Sequence, residues 1–194
     1  MNIKKQEPVV TVVRVETDEL KNEAYRLRYS VFSVEMGDHR YADHSKQIWS
    51  DPDDIAASNL FVAINEQDQV VGTMRLTPYR THKFIAADQY QFDELARILN
   101  MPIDGLLQRV ARADRGVVDQ SARGTSVLSK LQGHVDAYAM SVGIDVLVGV
   151  TAALNDRARN AFRKLGWKDT ELTGEHKGYK CHIIYKLLGG VAGA

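Results

Sequence analysis

The apolar run Val146–Val150, followed by the basic stretch Asn155-Asp-Arg-Ala-Arg-Asn-Ala-Phe-Arg-Lys-Leu-Gly-Trp167, constrains the fold of this chain more than any other segment. A run of mostly β-branched residues without polar alternation is a strand covered on both faces. A short basic helix after it, stopped by Gly166 and Trp167, makes a strand–loop–helix unit. The same grammar recurs along the chain. Pro8–Val15 reads as a first strand, and Thr17 as the N-cap of a helix reaching about Val34, with Leu20, Ala24, Leu27, Val31 and Val34 on one face and Gly37 ending it. Leu60–Asn65 and Gln69–Leu76 flank Glu66-Gln-Asp68 as a hairpin. Phe92–Leu99 predicts a short helix, Leu106–Arg112 a strand, Thr125–Val142 an amphipathic helix and Cys181–Leu188 a last strand. Two stretches, Asp38–Ser58 and Thr77–Gln91, lack periodicity. This order predicts an α/β (α+β) fold, a mixed central sheet flanked by helices.

The length of 194 residues predicts a single domain over 1–194, with a frayed tail from Gly189 to Ala194. Twenty-five basic residues balance 25 acidic ones, so no global field favours nucleic acid. No apolar run is long enough to span a membrane, and the N-terminus lacks the apolar core of a secretory signal. The one cysteine, Cys181, fits a reducing compartment, and the expected location is the cytoplasm. Cys181 is read as core rather than nucleophile, and His39 and His44 as loop surface without metal-ligand spacing.

Asn155-x-x-Ala158-x-x-x-Phe162-x-x-x-Gly166-Trp167 resembles the strand-5 to helix-4 segment of the GNAT superfamily of N-acyltransferases. Phe162 stands where that pattern usually has Tyr, the acid for the departing thiol. Upstream, Arg123-Gly-Thr-Ser-Val-Leu128 resembles the superfamily's strand-4 to helix-3 turn, whose helix N-terminus receives the pyrophosphate of coenzyme A. Ser126 and Leu128 fill positions usually held by glycine or a small residue, where side chains crowd a close pyrophosphate. Either the donor carries its pantetheine on something other than coenzyme A, or Ser126 caps the helix. The resemblance implies an acyl-pantetheine groove at a splay between strands 4 and 5. It also implies donor contacts from Arg112, Arg115, Arg123, Gly124, Thr125, Ser126, Asn155 and Arg159.

A narrower resemblance covers roughly residues 20–170. Arg28-x-x-x-Phe32, the pair Asp51 and Asp54, and Gly72-Thr-Met-Arg-Leu-Thr-Pro78 follow one another as in the acyl-homoserine lactone synthases and the long-chain N-acyl amino acid synthases. Gln108-Arg109-Val110-Ala111 is similar to those families' strand-4 motif, which makes Arg109 the matching arginine. Lactone synthases carry a Glu three residues before it, where this chain has Leu106, and a Trp soon after the first helix, where the nearest is Trp49. These departures favour an N-acyl amino acid synthase, such as an N-acyl tyrosine synthase, over a lactone synthase. The implied site comprises Arg109, Asp54, Asp51 and Glu35 as catalytic candidates. Arg28, Phe32, Met74, Arg75, Leu76, Tyr79, Val110, Ala111 and Phe162 are implied at the substrate, with Trp49 and Phe84 as further tunnel candidates.

Acyl transfer from a thioester needs a neutral amine and a polarised carbonyl. Asp51 and Asp54 serve as base or amine-binding groups, or else order their loop through ion pairs with Arg28 and Arg75. Arg75 or Arg109 offers a bidentate fork for an amino acid carboxylate. Between Arg109 and Lys130 five basic residues face two acidic ones, and between Asn155 and Lys168 five face one. Such segments around a thioester entrance suit an acidic acyl carrier protein, or are solvated helix faces. The expected donor is therefore the phosphopantetheine thioester of acyl carrier protein, ahead of a coenzyme A thioester. No metal or permanent cofactor is expected. The competing readings are an acyl-homoserine lactone synthase, a coenzyme A-dependent acetyltransferase, and a non-catalytic domain that binds acyl carrier protein.

Overall fold

A computed structural model describes residues 7, 9–54, 58–83, 90–152, 156–176 and 179–189. The chain divides into two compact units, one of Met1–Leu76 with Arg115–Val135, the other of Thr77–Asp114 with Asp136–Ala194.

In the first unit, strand β1 (Val10–Arg14) pairs antiparallel with β4 (Asn59–Asn65), and β4 with β5 (Val70–Pro78). Helix α1 (Asp18–Arg28) begins where the Thr17 hydroxyl accepts the Leu20 N–H at 3.3 Å, with Asp18 and Glu19 in the first turn suiting the helix dipole. It buries Ala24, Tyr25 and Leu27 against Leu60 and Val62. From Tyr29 to Glu35 the helix widens to a π-helix, the Met36 N–H reaching back to the Val31 carbonyl at 3.1 Å, and Gly37 ends it at φ +69°. The wider turn corrects the straight-helix expectation: Val34, placed on the apolar face by an α period, is 67% exposed, and Ser33 is buried instead.

The stretch after Gly37 contains a small hairpin, β2 (Ala42–Asp43) with β3 (Ile48–Trp49), which buries the Trp49 ring. The end of β6 (Val110–Val118) and the start of α4 (Val127–Ser141) complete this unit. Thr73 Oγ1 donates to the Arg115 carbonyl at 3.0 Å, and Val127, Leu131 and Val135, four apart as the sequence predicts, are fully buried. Gly72 lies under α4: a Cβ there would meet Leu131 Cδ1 at 2.8 Å and Val127 Cγ1 at 2.9 Å.

In the second unit β6 starts parallel to β7 (Val146–Ala152), β7 pairs antiparallel with β9 (Tyr179–Leu187), and β9 with β8 (Lys168–His176). Helices α2 (Phe92–Ile98) and α3 (Ile103–Arg109) share a core with Tyr90, Val110, Val146 and Val148. Helix α5 (Asp156–Lys164) precedes β8.

Two sequence expectations are corrected here. Residues 103–109 are helical rather than extended, with Leu106 fully buried in the helical core, so β6 begins only at Val110. A short apolar run does not by itself distinguish a buried helix from a strand. Strand β8 has no counterpart among the expected strands, because Lys168–His176 is polar; it pairs on one side only, with β9, and an edge strand has little need of apolar residues.

Adding a methyl group where two core side chains already crowd the backbone is destabilising. Gly72→Ala should lower stability by about 1–3 kcal/mol in chemical denaturation, with no change in the far-UV spectrum of the folded state.

Candidate active site

The first unit encloses an ionic cluster drawn from four separate segments. Arg28 at the end of α1 donates through one guanidinium nitrogen to both Asp54 oxygens, at 2.9 and 2.8 Å. Arg75 on β5 meets Asp51 at 2.7 and 3.3 Å and Asp54 at 2.9 Å. Arg115 on β6 closes the chain, its Nε 2.6 Å from Asp51 and a terminal nitrogen on the same oxygen. The Arg28 and Arg75 side chains are fully buried and those of Asp51 and Asp54 nearly so, whereas Arg115 keeps 20% exposure. The loop is wound to fit: the Asp51 N–H donates to Asp54 Oδ2 at 3.0 Å and the Asp53 N–H to Asp51 Oδ1 at 2.9 Å. Desolvated ions of this kind persist only with close geometry and extra hydrogen bonds, and both are present. Three guanidiniums share two carboxylates. Among the described residues Arg28 Nε and Nη2 have no hydrogen-bond partner, although the guanidinium lies 5.4 Å from the Tyr25 ring centre.

Arg115 is the member of the cluster that sequence reasoning does not place there. The resemblance assigns it a donor contact and makes Arg109 the strand arginine. Arg109 is instead the last residue of α3, half-exposed and paired with Asp145. Arg115 adopts φ +54° in the middle of β6, an uncommon conformation for a side-chain-bearing residue. Its guanidinium lies 5.0 Å from the Trp49 ring centre, and Trp49 in turn packs on Phe32 at 4.7 Å and edge-on to Tyr41 at 5.3 Å. The position three residues before Arg115 is Arg112, not an acid. The signal that could have found Arg115 is its place in a true strand, which the misread helix at 103–109 conceals.

A cleft of about 230 Å³ adjoins the cluster, lined by Thr17, Lys21, Tyr25, Asp54, Ser58 and Leu60 among others. Burial pushes the Tyr25 phenol up to about 12, with the Asp54 charge acting in the same direction. Met74 and Leu76 are buried on β5 beside Arg75. Phe32 packs on the core of Leu27, Val31 and Val117. Glu35 pairs with Arg123 at 2.8 Å rather than standing near the aspartates' cluster as a base. The two loop histidines bond to hydroxyls of the π segment, His39 Nδ1 to Ser33 at 2.8 Å and His44 Nδ1 to Tyr29 at 3.0 Å.

At the start of α4, Gly124 adopts φ +81° and the Thr125 hydroxyl donates to the Ala122 carbonyl at 2.6 Å. The Ser126 N–H donates to the Glu7 carboxylate at 3.0 Å, and hydrogen bonding from the Ser126 side chain, then from this N–H, holds Glu7 below the usual carboxylate range. A helix N-terminus that accepts this carboxylate has the polarity to accept a phosphate.

In the second unit β6 and β7 pair over only three positions, Val110↔Val146, Ala111↔Leu147 and Arg112↔Val148, although β7 runs on to Ala152. The two strands thus part at Ala113 and Gly149. Val110 and Ala111 are buried within the paired part. Arg112 is buried with Asp114 at 3.2 Å. Tyr79 packs edge-on to Phe92 at 5.1 Å in the helical core and borders a second cleft of about 350 Å³. Phe162 meets Trp167 edge-on at 5.6 Å. Arg159 and Arg163 both pair with Asp169, one residue past the basic stretch read from the sequence. Asn155 and Phe84 lie outside the described residues. Cys181 is buried, its thiol pushed up by burial. Among the described residues no helix is long and apolar enough to cross a membrane, and no three His, Cys, Asp or Glu side chains gather as around a metal ion.

The acetyltransferase (GNAT) domain family matches residues 27–132, more than half of the chain. The chain belongs to the GNAT family. It is an N-acyltransferase with the GNAT fold, and the parting of β6 from β7 is the strand-4/strand-5 splay of that fold. No curated protein matches the sequence. Among solved structures, the coenzyme A-dependent acyl-homoserine lactone synthase BjaI, bound to SAM and isopentyl-CoA, superposes with TM-score 0.71 at 17% identity, over 94% of this chain and 85% of that one. FeeM, an N-acyl amino acid synthase from uncultured soil microbes, gives 0.64 at 13%, over 93% and 92%. A GNAT-family acetyltransferase from Staphylococcus aureus Mu50 gives 0.63 at 15%, over 93% and 100%. At these identities the likeness is one of fold.

Removing the Asp51 charge leaves Arg75 and Arg115 facing each other. Asp51→Asn should therefore cost about 3–5 kcal/mol by urea unfolding, well beyond the effect of breaking the surface pair Arg109–Asp145. The raised Tyr25 pKa means that the folded chain keeps a proton the unfolded chain loses between about pH 10 and 12. Stability should fall as pH rises through that window, and Tyr25→Phe should flatten the slope in pH-dependent denaturation.

Proposed function

We propose that this GNAT enzyme transfers a long-chain fatty acyl group from the thioester of acyl carrier protein to the α-amine of an amino acid, with tyrosine the first acceptor to try. The observation that carries the proposal is the cluster of Arg28, Asp54, Arg75, Asp51 and Arg115. Motifs scattered over the first half of the chain, in the order found in the amide and lactone synthases, converge on one buried ionic centre. Such a centre is rigid and costly, and unneeded for folding alone. Arg115, its most exposed member, is the arginine we assign to the acceptor carboxylate. Asp54, which lines the adjoining cleft, is assigned to the amine. Arg75 is committed to both aspartates and takes a positioning role.

In the reaction the neutral amine attacks the thioester carbonyl, a main-chain N–H of β6 beyond Arg112 polarises the oxygen, and the C–S bond breaks. Val110 and Ala111, within the paired ladder, shape the groove rather than polarise the carbonyl. The start of α4, which already holds a carboxylate at Ser126, is assigned to the donor's phosphate.

One observation favours a different donor. Arg112, Arg115, Arg123 and Arg159, expected to attract an acidic carrier, are all paired with acids of this chain. Among the described residues that leaves Lys130, Lys164 and Lys168 as exposed cations of the two basic segments. It gives a coenzyme A thioester, the donor named for BjaI, a place in the test.

Incubation with long-chain acyl-carrier protein or acyl-coenzyme A and pooled amino acids, with mass spectrometry as the readout, should yield an N-acyl amino acid with the carrier-protein donor. A lactone from S-adenosylmethionine would support the lactone synthase instead, and transfer restricted to acetyl-coenzyme A would sink the proposal. Within the same assay Arg115→Ala should lower kcat/KM by about 100-fold, as loss of substrate positioning does, whereas Arg109→Ala should change it by less than about 3-fold.

A further inference from the structure

We infer that the Thr151 hydroxyl on β7 hydrogen-bonds the departing sulfur of the acyl thioester, the role left without a phenol at Phe162; this rests on the acyl-transfer reading above. Thr151 is 4% exposed, and its Oγ1 has no hydrogen-bond partner among the described residues. A buried hydroxyl left unpaired costs about 1–3 kcal/mol, and valine would fill the same place in a strand without that cost. A threonine kept there fits a bond made to a bound molecule.

Its position names the molecule. The last β6–β7 pair is Arg112↔Val148, so Thr151 lies on the part of β7 that has left β6. Side chains alternate along a strand, which puts Thr151 on the face of Leu147 and Gly149, opposite Val146 and Val148 in the core of α2 and α3. On that face a Cβ at Gly149 would lie 3.4 Å from the Trp167 indole and 3.3 Å from the Ala113 carbonyl. Trp167 in turn meets Phe162 at 5.6 Å. Thr151 and the residue that replaces the usual phenol thus stand on one side of the sheet, beside the splay.

The chemistry balances without a further reagent. The C–N bond forms, the C–S bond breaks, and its electron pair goes to sulfur. The proton that the amine sheds passes through water to the thiolate, giving an amide and a free thiol. Thr151, too weak an acid to give up its own proton, donates a hydrogen bond as charge grows on sulfur.

The test compares Thr151→Val and Thr151→Ser with two donors, the native alkyl thioester and an aryl thioester whose thiol is far more acidic. Thr151→Val should melt no lower than the parent, and kcat with the alkyl thioester should drop roughly 100-fold, a loss typical for removal of one donor to developing charge. Thr151→Ser should recover most of the rate, and the aryl thioester should shrink the valine defect to under about 3-fold, because its leaving group needs no help. Unchanged kcat in Thr151→Val, or the same loss with both donors, would overturn the inference. If the valine variant does not fold, Thr151→Ala against Thr151→Ser carries the same comparison. An enzyme that transfers from neither thioester in its parent form defeats the acyl-transfer reading, and this inference with it.

Discussion

Asp51 is the point on which the first unit depends. Its two oxygens join Arg75 on β5 to Arg115 on β6, while its main-chain N–H ties back to Asp54 and so to Arg28 on α1. Two strands, a helix and an irregular loop are held by charges that none of them could bury alone. A hydrophobic cluster of the same volume would be at least as stable. Under the proposed function, the ionic centre supplies a directional, charged environment fixed in place before substrate arrives.

The second unit is organised by a different constraint. β7 has a partner along its whole length on the β9 side but only briefly on the β6 side. Past the parting, the buried Thr151 hydroxyl has no hydrogen-bond partner among the described residues. A buried hydroxyl of this kind is a cost that a strand ordinarily avoids, and it is the opening for the bond proposed above.

Much of this is legible from residue patterns. The β-branched run of β7, the four-residue spacing of Val127, Leu131 and Val135, and the Thr17 cap each express local physics that the fold leaves intact. The ion pairs of Arg28 and Arg75 with Asp54 and Asp51 are also open to view, because the residues keep a recognisable order. Arg115 is not, since its role depends on a left-handed backbone residue within a strand and on knowing that residues 103–109 are helical. The balance of charge is hidden for a related reason: sequence windows count cations but not the acids folded against them, such as Asp169 with Arg159 and Arg163.

The π-helix after α1 fixes a length as well as a shape. Its wide turns bring Tyr29, Phe32 and Ser33 to His44, Trp49 and His39, and Glu35 to Arg123. Each π turn takes up one residue more than an α turn, so deleting one residue between Tyr29 and Glu35 would let an α period resume with little change in the phase of the flanking chain, at the loss of one of these contacts. The extra residue is thus what lets one short segment present Phe32 to the Trp49 ring and Glu35 to Arg123 at once.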